Sequence, residues 1–346
     1  MPFMRCLRLI GWLTYEGARE SLTVTEIHHD PPEEFEPDTF DRQAFGDTIL
    51  EGQLREAIRR INDPDSEWLS DNHIEQIIHR IEQLRAVDLL EANMQGTAWL
   101  QQGIELDVGE EGAPDTRPIQ LIDFSDAVGN NTLVAIRQFR VQPIVAGNSA
   151  CEPDIVLFVN GLPLVVIECK RPDRRNMLRE AVNQLLRYQN LREDDDPDAE
   201  GVPELFRFCQ FNIGTALNSV KYGTIGTRVS RYLRWRDPHP FTSEYISQLF
   251  GIGERELNPQ EILIAGMLNP ETLLDLTQNY SGFEESVTGI TKIVPRYMQY
   301  RAADLAVRRL LDPPEINVEE LQDGDLPPPD PRGGYVWHTQ GSGKSL

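Results

Sequence analysis

Apolar residues recur along this 346-residue chain with two different periods. Over 48–61 they follow a helical spacing, with Ile49, Leu50, Leu54, Ile58 and Ile61 on one face and arginines on the other. Asn62-Asp63-Pro64 ends that helix. Ile74, Ile77, Ile78, Ile81, Leu84 and Leu89 or Leu90 predict a second amphipathic helix over 73–92. Strand-like segments follow at 104–108, 119–124 and 132–141, the last alternating with Leu133, Ala135, Arg137 and Phe139 on one face. Residues 155–159 and 164–169 are almost continuously apolar, and Asn160-Gly161 between them is a hairpin signal. The second of these strands is apolar on both faces until its end, which predicts a central place in a sheet. A helix fits 176–191, strand-like pieces fit 205–214 and 222–235, and the helical period returns at 273–276 and 295–311. The order predicts an α/β fold, a mixed sheet flanked by helices.

Composition adds limits. The net charge of −23 argues against a simple basic nucleic-acid binder, although contact with DNA depends on local patches. Cys6, Cys151, Cys169 and Cys209 have no metal-type spacing and read as reduced cytosolic thiols. No apolar run is long enough to span a bilayer, so a cytoplasmic protein without a membrane partner is expected. Residues 26–47 read as an acidic, proline-bearing arm, 193–200 as a solvated acidic loop, and 312–334 as a linker. These breaks divide the chain into an N-terminal arm (1–45), a principal domain (46–260) and a C-terminal segment (261–346).

The main chemistry lies between residues 153 and 170. Pro153-Asp154 opens the first apolar strand, and Glu168-Cys169-Lys170 closes the second. Glu168 and Lys170 are two apart on a strand and share a face, and Asp154 can sit beside them. Ionisable groups at the end of a buried hairpin are costly unless paired or bound to metal. Asp154, Glu168 and the main-chain carbonyl of Cys169 offer hard oxygen ligands suited to Mg²⁺ or Mn²⁺. Lys170 can orient a water and stabilise charge on a phosphorane-like transition state. The set favours metal-assisted phosphodiester hydrolysis. An acid–lysine ion pair closing a sheet edge would use the same residues without chemistry. The strand, Asn-Gly turn and second strand ending in Glu-x-Lys are the context of a PD-(D/E)xK nuclease, and Gln184 and Tyr188 lie on one face of the next helix. Arg171, Arg174, Arg175, Arg179 and Arg187 follow closely, either as a phosphate-facing patch or as an ordinary charged helix face.

His338-Thr339-Gln340-Gly341-Ser342-Gly343-Lys344-Ser345 forms a phosphate-loop signature, with His338 where the strict pattern has glycine. Its glycines admit phosphates, Lys344 reaches the outer phosphates and Ser345 can ligate Mg²⁺. With only Leu346 after it, the loop reads as the truncated start of a RecA-like helicase domain.

These motifs, in this order, resemble the restriction subunit of type I restriction-modification enzymes from about Gly46 onward. The helix 54–62, Asp123-Phe124 with 130–142, the 221–224 and 234–235 segments and Arg296-Tyr297-Met298-Gln299-Tyr300 all fit that pattern. The resemblance implies a nuclease triad of Asp154, Glu168 and Lys170, and DNA contact or cleavage support by Gln184 and Tyr188. It also implies adenine reading by Gln299 and nucleotide binding by Thr339, Gly341, Ser342, Gly343, Lys344 and Ser345. Double-stranded DNA is the implied substrate, methyltransferase and specificity subunits are the implied partners, and ATP serves the full-length protein only. The family's leading helix is short here, so a fourth acidic ligand stays open. Two rival readings use the same residues: a nuclease-like docking module without cleavage, and a motor accessory whose chemistry is ATP hydrolysis alone.

Overall fold

The computed structural model describes residues 2–27, 37–84, 88–109, 113–126, 128–143, 150–171, 176–191, 201–287, 289–313 and 330–336. In chain order the elements are α1 (Pro2–Leu9), β1 (Leu13–Gly17), β2 (Val24–Glu26), α2 (Glu51–Asn62), α3 (Asp71–Glu82), α4 (Leu89–Gln102), β3 (Ile104–Asp107), β4 (Thr116–Ile119) and β5 (Leu133–Arg137). They continue with β6 (Ile155–Val159), β7 (Leu162–Cys169), α5 (Met177–Tyr188), β8 (Phe211–Ala216), β9 (Ser219–Gly223), α6 (Ser243–Phe250), α7 (Pro259–Gly266), α8 (Pro270–Asn279), β10 (Gly282–Ser286), β11 (Gly289–Ile293) and α9 (Tyr297–Leu311). The chain divides into two units, Met1–Val294 and Pro295–Leu346.

The first unit is built on a seven-stranded mixed sheet in the order β2-β1-β5-β6-β7-β8-β9. β1 pairs with β5, and β7 with β8, in parallel; the remaining neighbours are antiparallel. β6 and most of β7 are fully buried, as their unbroken apolar runs require. α5 covers one face of this centre, where Leu185 and Tyr188 join Val134, Ile136, Val156, Phe158 and Val166 in one apolar cluster. In the second unit α9 carries an Asp304–Arg308 pair one turn apart, and Arg309 donates to the carbonyl of Gly333.

The hairpin between β6 and β7 forms where the Asn-Gly signal places it. Asn160 and Gly161 both have positive φ, 49° and 80°, the requirement of a type I′ turn. The buried Asn160 side chain accepts from the N–H of Thr132 and donates to the carbonyl of Leu121 and to Asn131. A Cβ on Gly161 would stand 2.3 Å from the carbonyl oxygen of Leu50, just before α2. Gly161→Ala should therefore destabilise the chain by more than the ~1 kcal/mol of the left-handed backbone alone. Denaturant unfolding measures this, and an unchanged midpoint would contradict the close approach.

Several expectations are corrected. The stretch before residue 45 is no detached arm: α1, β1 and β2 lie there, both strands belong to the sheet, and Val24 bridges Asp38. The helix expected over 73–92 is two helices, because the Asp88 side chain accepts from the N–H of Glu91 and starts α4 afresh. The strand expected at 119–124 is β4, shifted earlier. Beyond it the Asp123 carboxylate accepts from the N–H groups of Ser125 and Asp126 and turns the chain. β5 stops at Arg137 rather than 141, because Gln138 takes φ +55°. The piece over 205–214 splits into a turn of 3₁₀ helix (Pro203–Phe206) and β8, while that over 222–235 is β9 with a single bridge from Tyr222 to Leu233. α6 and the β10–β11 hairpin carry no clear period in the sequence. The first unit extends to residue 294, beyond the expected boundary at 260.

Candidate active site

Strand register brings the acidic pair together. Ile155 lies opposite Ile167, so one residue further the antiparallel ladder sets Asp154 beside Glu168 at the open end of the hairpin. The N–H of Cys169 donates to Asp154 Oδ2 at 2.7 Å and fixes that carboxylate. N–H and C=O of one strand residue point to the same edge, so the Cys169 carbonyl also faces the Asp154 side. The N–H of Lys170 points the other way, to the carbonyl of Thr215 on β8.

Lys170 Nζ donates to Glu168 Oε1 at 2.6 Å and to Gln184 Oε1 at 2.5 Å. Gln184 Nε2 donates in turn to Tyr188 Oη at 2.5 Å, and the tyrosine hydroxyl donates to the carbonyl of Glu152 at 3.4 Å. The i,i+4 spacing on α5 thus ties Lys170 to the chain just ahead of Asp154. Burial pushes the Tyr188 hydroxyl pKa well up, so it remains a neutral donor.

Glu168 is 2 % exposed. Its pKa is raised to about 8, first by burial and next by the Asp154 charge, with Lys170 opposing. Glu168 Oε2 is buried without a hydrogen-bond partner among the described residues. A buried acid that desolvation and a neighbouring charge keep from ionising, with one oxygen left orphaned, fits a divalent cation. Among the described residues no three His, Cys, Asp or Glu side chains gather as a metal cage. The available set is two carboxylates and a main-chain carbonyl. Mg²⁺ accepts such a set because it retains several of its waters.

Other expected site residues are placed less closely or not at all. Arg171 is exposed just past β7. Arg174 and Arg175 lie outside the described residues, as do the acidic loop and the phosphate loop with Thr339, Gly341, Ser342, Gly343, Lys344 and Ser345. Gln299 lies in the second unit, where its Oε1 accepts from the N–H of Arg296 at the start of α9. Trp235 is buried edge-on against Tyr222 and donates to the carbonyl of Asp237, so it packs the core. No helix among the described residues is long and apolar enough to cross a membrane.

Residues 21–230 match the family model described as type I restriction enzyme R protein N terminus. The chain is 26% identical over 323 residues to the putative type I restriction enzyme MjaIXP endonuclease subunit of Methanocaldococcus jannaschii, covering 90% of this chain and 28% of that protein. It is 28% identical over 309 residues to the type I restriction enzyme HindI endonuclease subunit of Haemophilus influenzae, covering 89% of this chain and 26% of that protein. It is 29% identical over 310 residues to the putative MjaVIIIP endonuclease subunit of M. jannaschii, again 89% and 26%. The matched region is about a quarter of the length of these relatives. With the family model spanning well over half of its residues, the chain belongs to the family of type I restriction enzyme R protein N termini.

Proposed function

We propose that the first unit is a Mg²⁺- or Mn²⁺-dependent endonuclease of the PD-(D/E)xK type that hydrolyses phosphodiesters of double-stranded DNA. The observation that carries this reading is Lys170, hydrogen-bonded to Glu168 and Gln184 beside Asp154 at the end of a buried hairpin. Asp154, Glu168 and the Cys169 carbonyl would hold the cation. When bound, it supplies Lewis acidity to the phosphate and a more acidic water. Lys170 holds positive charge at the reacting phosphate, and Gln184 with Tyr188 keeps that ammonium from swinging away. Arg171, and Arg174 and Arg175 close after it in sequence, would contact the DNA backbone.

In the full-length protein, cleavage is coupled to ATP-driven movement along DNA through a RecA-like helicase domain that begins at the phosphate loop 339–345, with Gln299 reading adenine. Methyltransferase and specificity subunits supply recognition, consistent with an R-subunit region of net charge −23 that need not find DNA alone. The setting is cytoplasmic.

Calorimetric Mn²⁺ titration of the chain, beside Asp154→Ala and Glu168→Ala, tests the site. Binding at a single site is expected in the parent and should be lost in both variants. Binding that both variants retain would remove the carboxylates from the metal site and favour a docking module without cleavage.

A further inference from the structure

Gln138 is the residue beside this site whose backbone is hardest to explain by packing. Its φ is +55° in a sequence, Arg-Gln-Phe-Arg, with no glycine or asparagine to favour that region. Register shows where it stands. Arg137 lies opposite Ile155 on β6, so Gln138 lies opposite Asp154, and its N–H donates to the Asp154 carbonyl at 3.0 Å. Asp154 lies in turn opposite Glu168 on β7. Gln138, Asp154 and Glu168 form one transverse row across three neighbouring strands, with roughly 5 Å between successive Cα atoms. β1 makes room for the turned backbone, since a Cβ at Gly17 would stand 2.6 Å from the Gln138 carbonyl oxygen. The residue is half-buried, yet its carboxamide makes no hydrogen bond to any described residue.

Glycine at 138 would hold the same φ without strain. A long amide in a left-handed conformation, flanking one of the two acids and bonded to no described residue, is instead what a substrate contact requires. We propose that Gln138 is a further substrate-binding residue of the cleavage site, its carboxamide donating to a phosphate oxygen of the DNA strand held at Asp154 and Glu168. This rests on the nuclease reading above. The carboxamide suits the position because it donates without adding charge to a site that already balances two carboxylates against Lys170.

The test uses the full-length protein assembled with its methyltransferase and specificity subunits, comparing Gln138→Gly and Asp154→Ala with the parent. DNA cleavage rate, ATP hydrolysis rate and melting temperature are read together. Gln138→Gly is expected to cut about 10- to 100-fold more slowly, the loss of one hydrogen bond to a charged group, with ATP hydrolysis unchanged and Tm equal or higher. Cleavage by Gln138→Gly at the parent rate would overturn the contact. A fall in its Tm would assign the amide to the fold and overturn it equally. The Asp154→Ala arm separates the two readings: if that variant is inactive while Gln138→Gly is fully active, only this inference fails. If Asp154→Ala also cuts normally, the nuclease reading fails with it.

Discussion

Lys170→Met in the full-length protein should lower DNA cleavage by about 10³-fold, the scale of removing a preorganised charge stabiliser, while ATP hydrolysis continues. Methionine nearly matches the length of the lysine stem, so the loss isolates the ammonium. That ammonium is the partner of Glu168 Oε1 and of Gln184 Oε1. Without it Glu168 keeps burial and the Asp154 charge as causes that raise its pKa and loses the neighbour that lowers it. Its carboxyl would then hold a proton to higher pH than the parent's value of about 8, and a metal would have to displace that proton. Cleavage should therefore be measured at saturating Mg²⁺ and again at raised pH. If activity returns fully at raised pH, Lys170 acts only by keeping Glu168 ionised. If the loss persists with metal bound, the lysine acts on the reacting phosphate. Cleavage at the parent rate under both conditions would remove Lys170 from the site. Lys170→Arg should not restore activity, because a planar guanidinium cannot place one donor on both oxygens that the Nζ reaches.

What the sequence made legible follows from how local each signal is. The hairpin 155–169 was readable because its turn residues, its apolar runs and its terminal charges lie within sixteen positions, and the ladder places Asp154 beside Glu168 with no further information. Gln184 and Tyr188 were readable because helical spacing alone puts them on one face, and they meet Lys170 through a single helix. β1 and β2 were not. They are short and half-exposed, and β1 is set by parallel pairing with β5, more than a hundred residues away. The left-handed turn at Gln138 has no sequence mark, since glutamine is an ordinary strand residue and the room for its turn is made by Gly17 from another strand. Lys292 was invisible for a similar reason. In Gly-Ile-Thr-Lys-Ile it reads as the polar side of an exposed strand, but three distant segments close over it.

Lys292→Met should remove a contribution to folding stability that rises with pH between about 7 and 9. Lys292 is 4 % exposed, and its Nζ donates to Gln210 Oε1 at 2.7 Å, Asn93 Oδ1 at 2.9 Å, Thr97 Oγ1 at 3.1 Å and the Cys209 carbonyl at 3.2 Å. Each of these partners is neutral, and the ring of Phe283 lies 5.4 Å away. Burial without a carboxylate draws its pKa down from 10.5 to about 7, opposed by the Cys209 thiol. Between those values the unfolded lysine holds a proton that the folded one has released. The unfolded state binds more protons there, so stability increases with pH, is complete above about 10.5 and is lost as pH falls through 7. One such group contributes at most about 1.4 kcal/mol per pH unit, a few kcal/mol across the window. Glu168 acts with the opposite sign below pH 8, because its raised pKa makes the folded state the better proton binder. Burial raises the Cys6 and Cys209 thiols to about 11 and 12, which opposes the rise above pH 9. The informative quantity is therefore the difference between parent and Lys292→Met, measured by denaturant unfolding of the metal-free chain from pH 7 to 9. Glu168 and Cys6 contribute to both proteins and cancel. A difference that grows with pH identifies a lysine neutralised by burial. Parallel curves would mean that the four oxygens around Nζ hold the ammonium charged through this range, and that solvation by the cage outweighs the cost of burial.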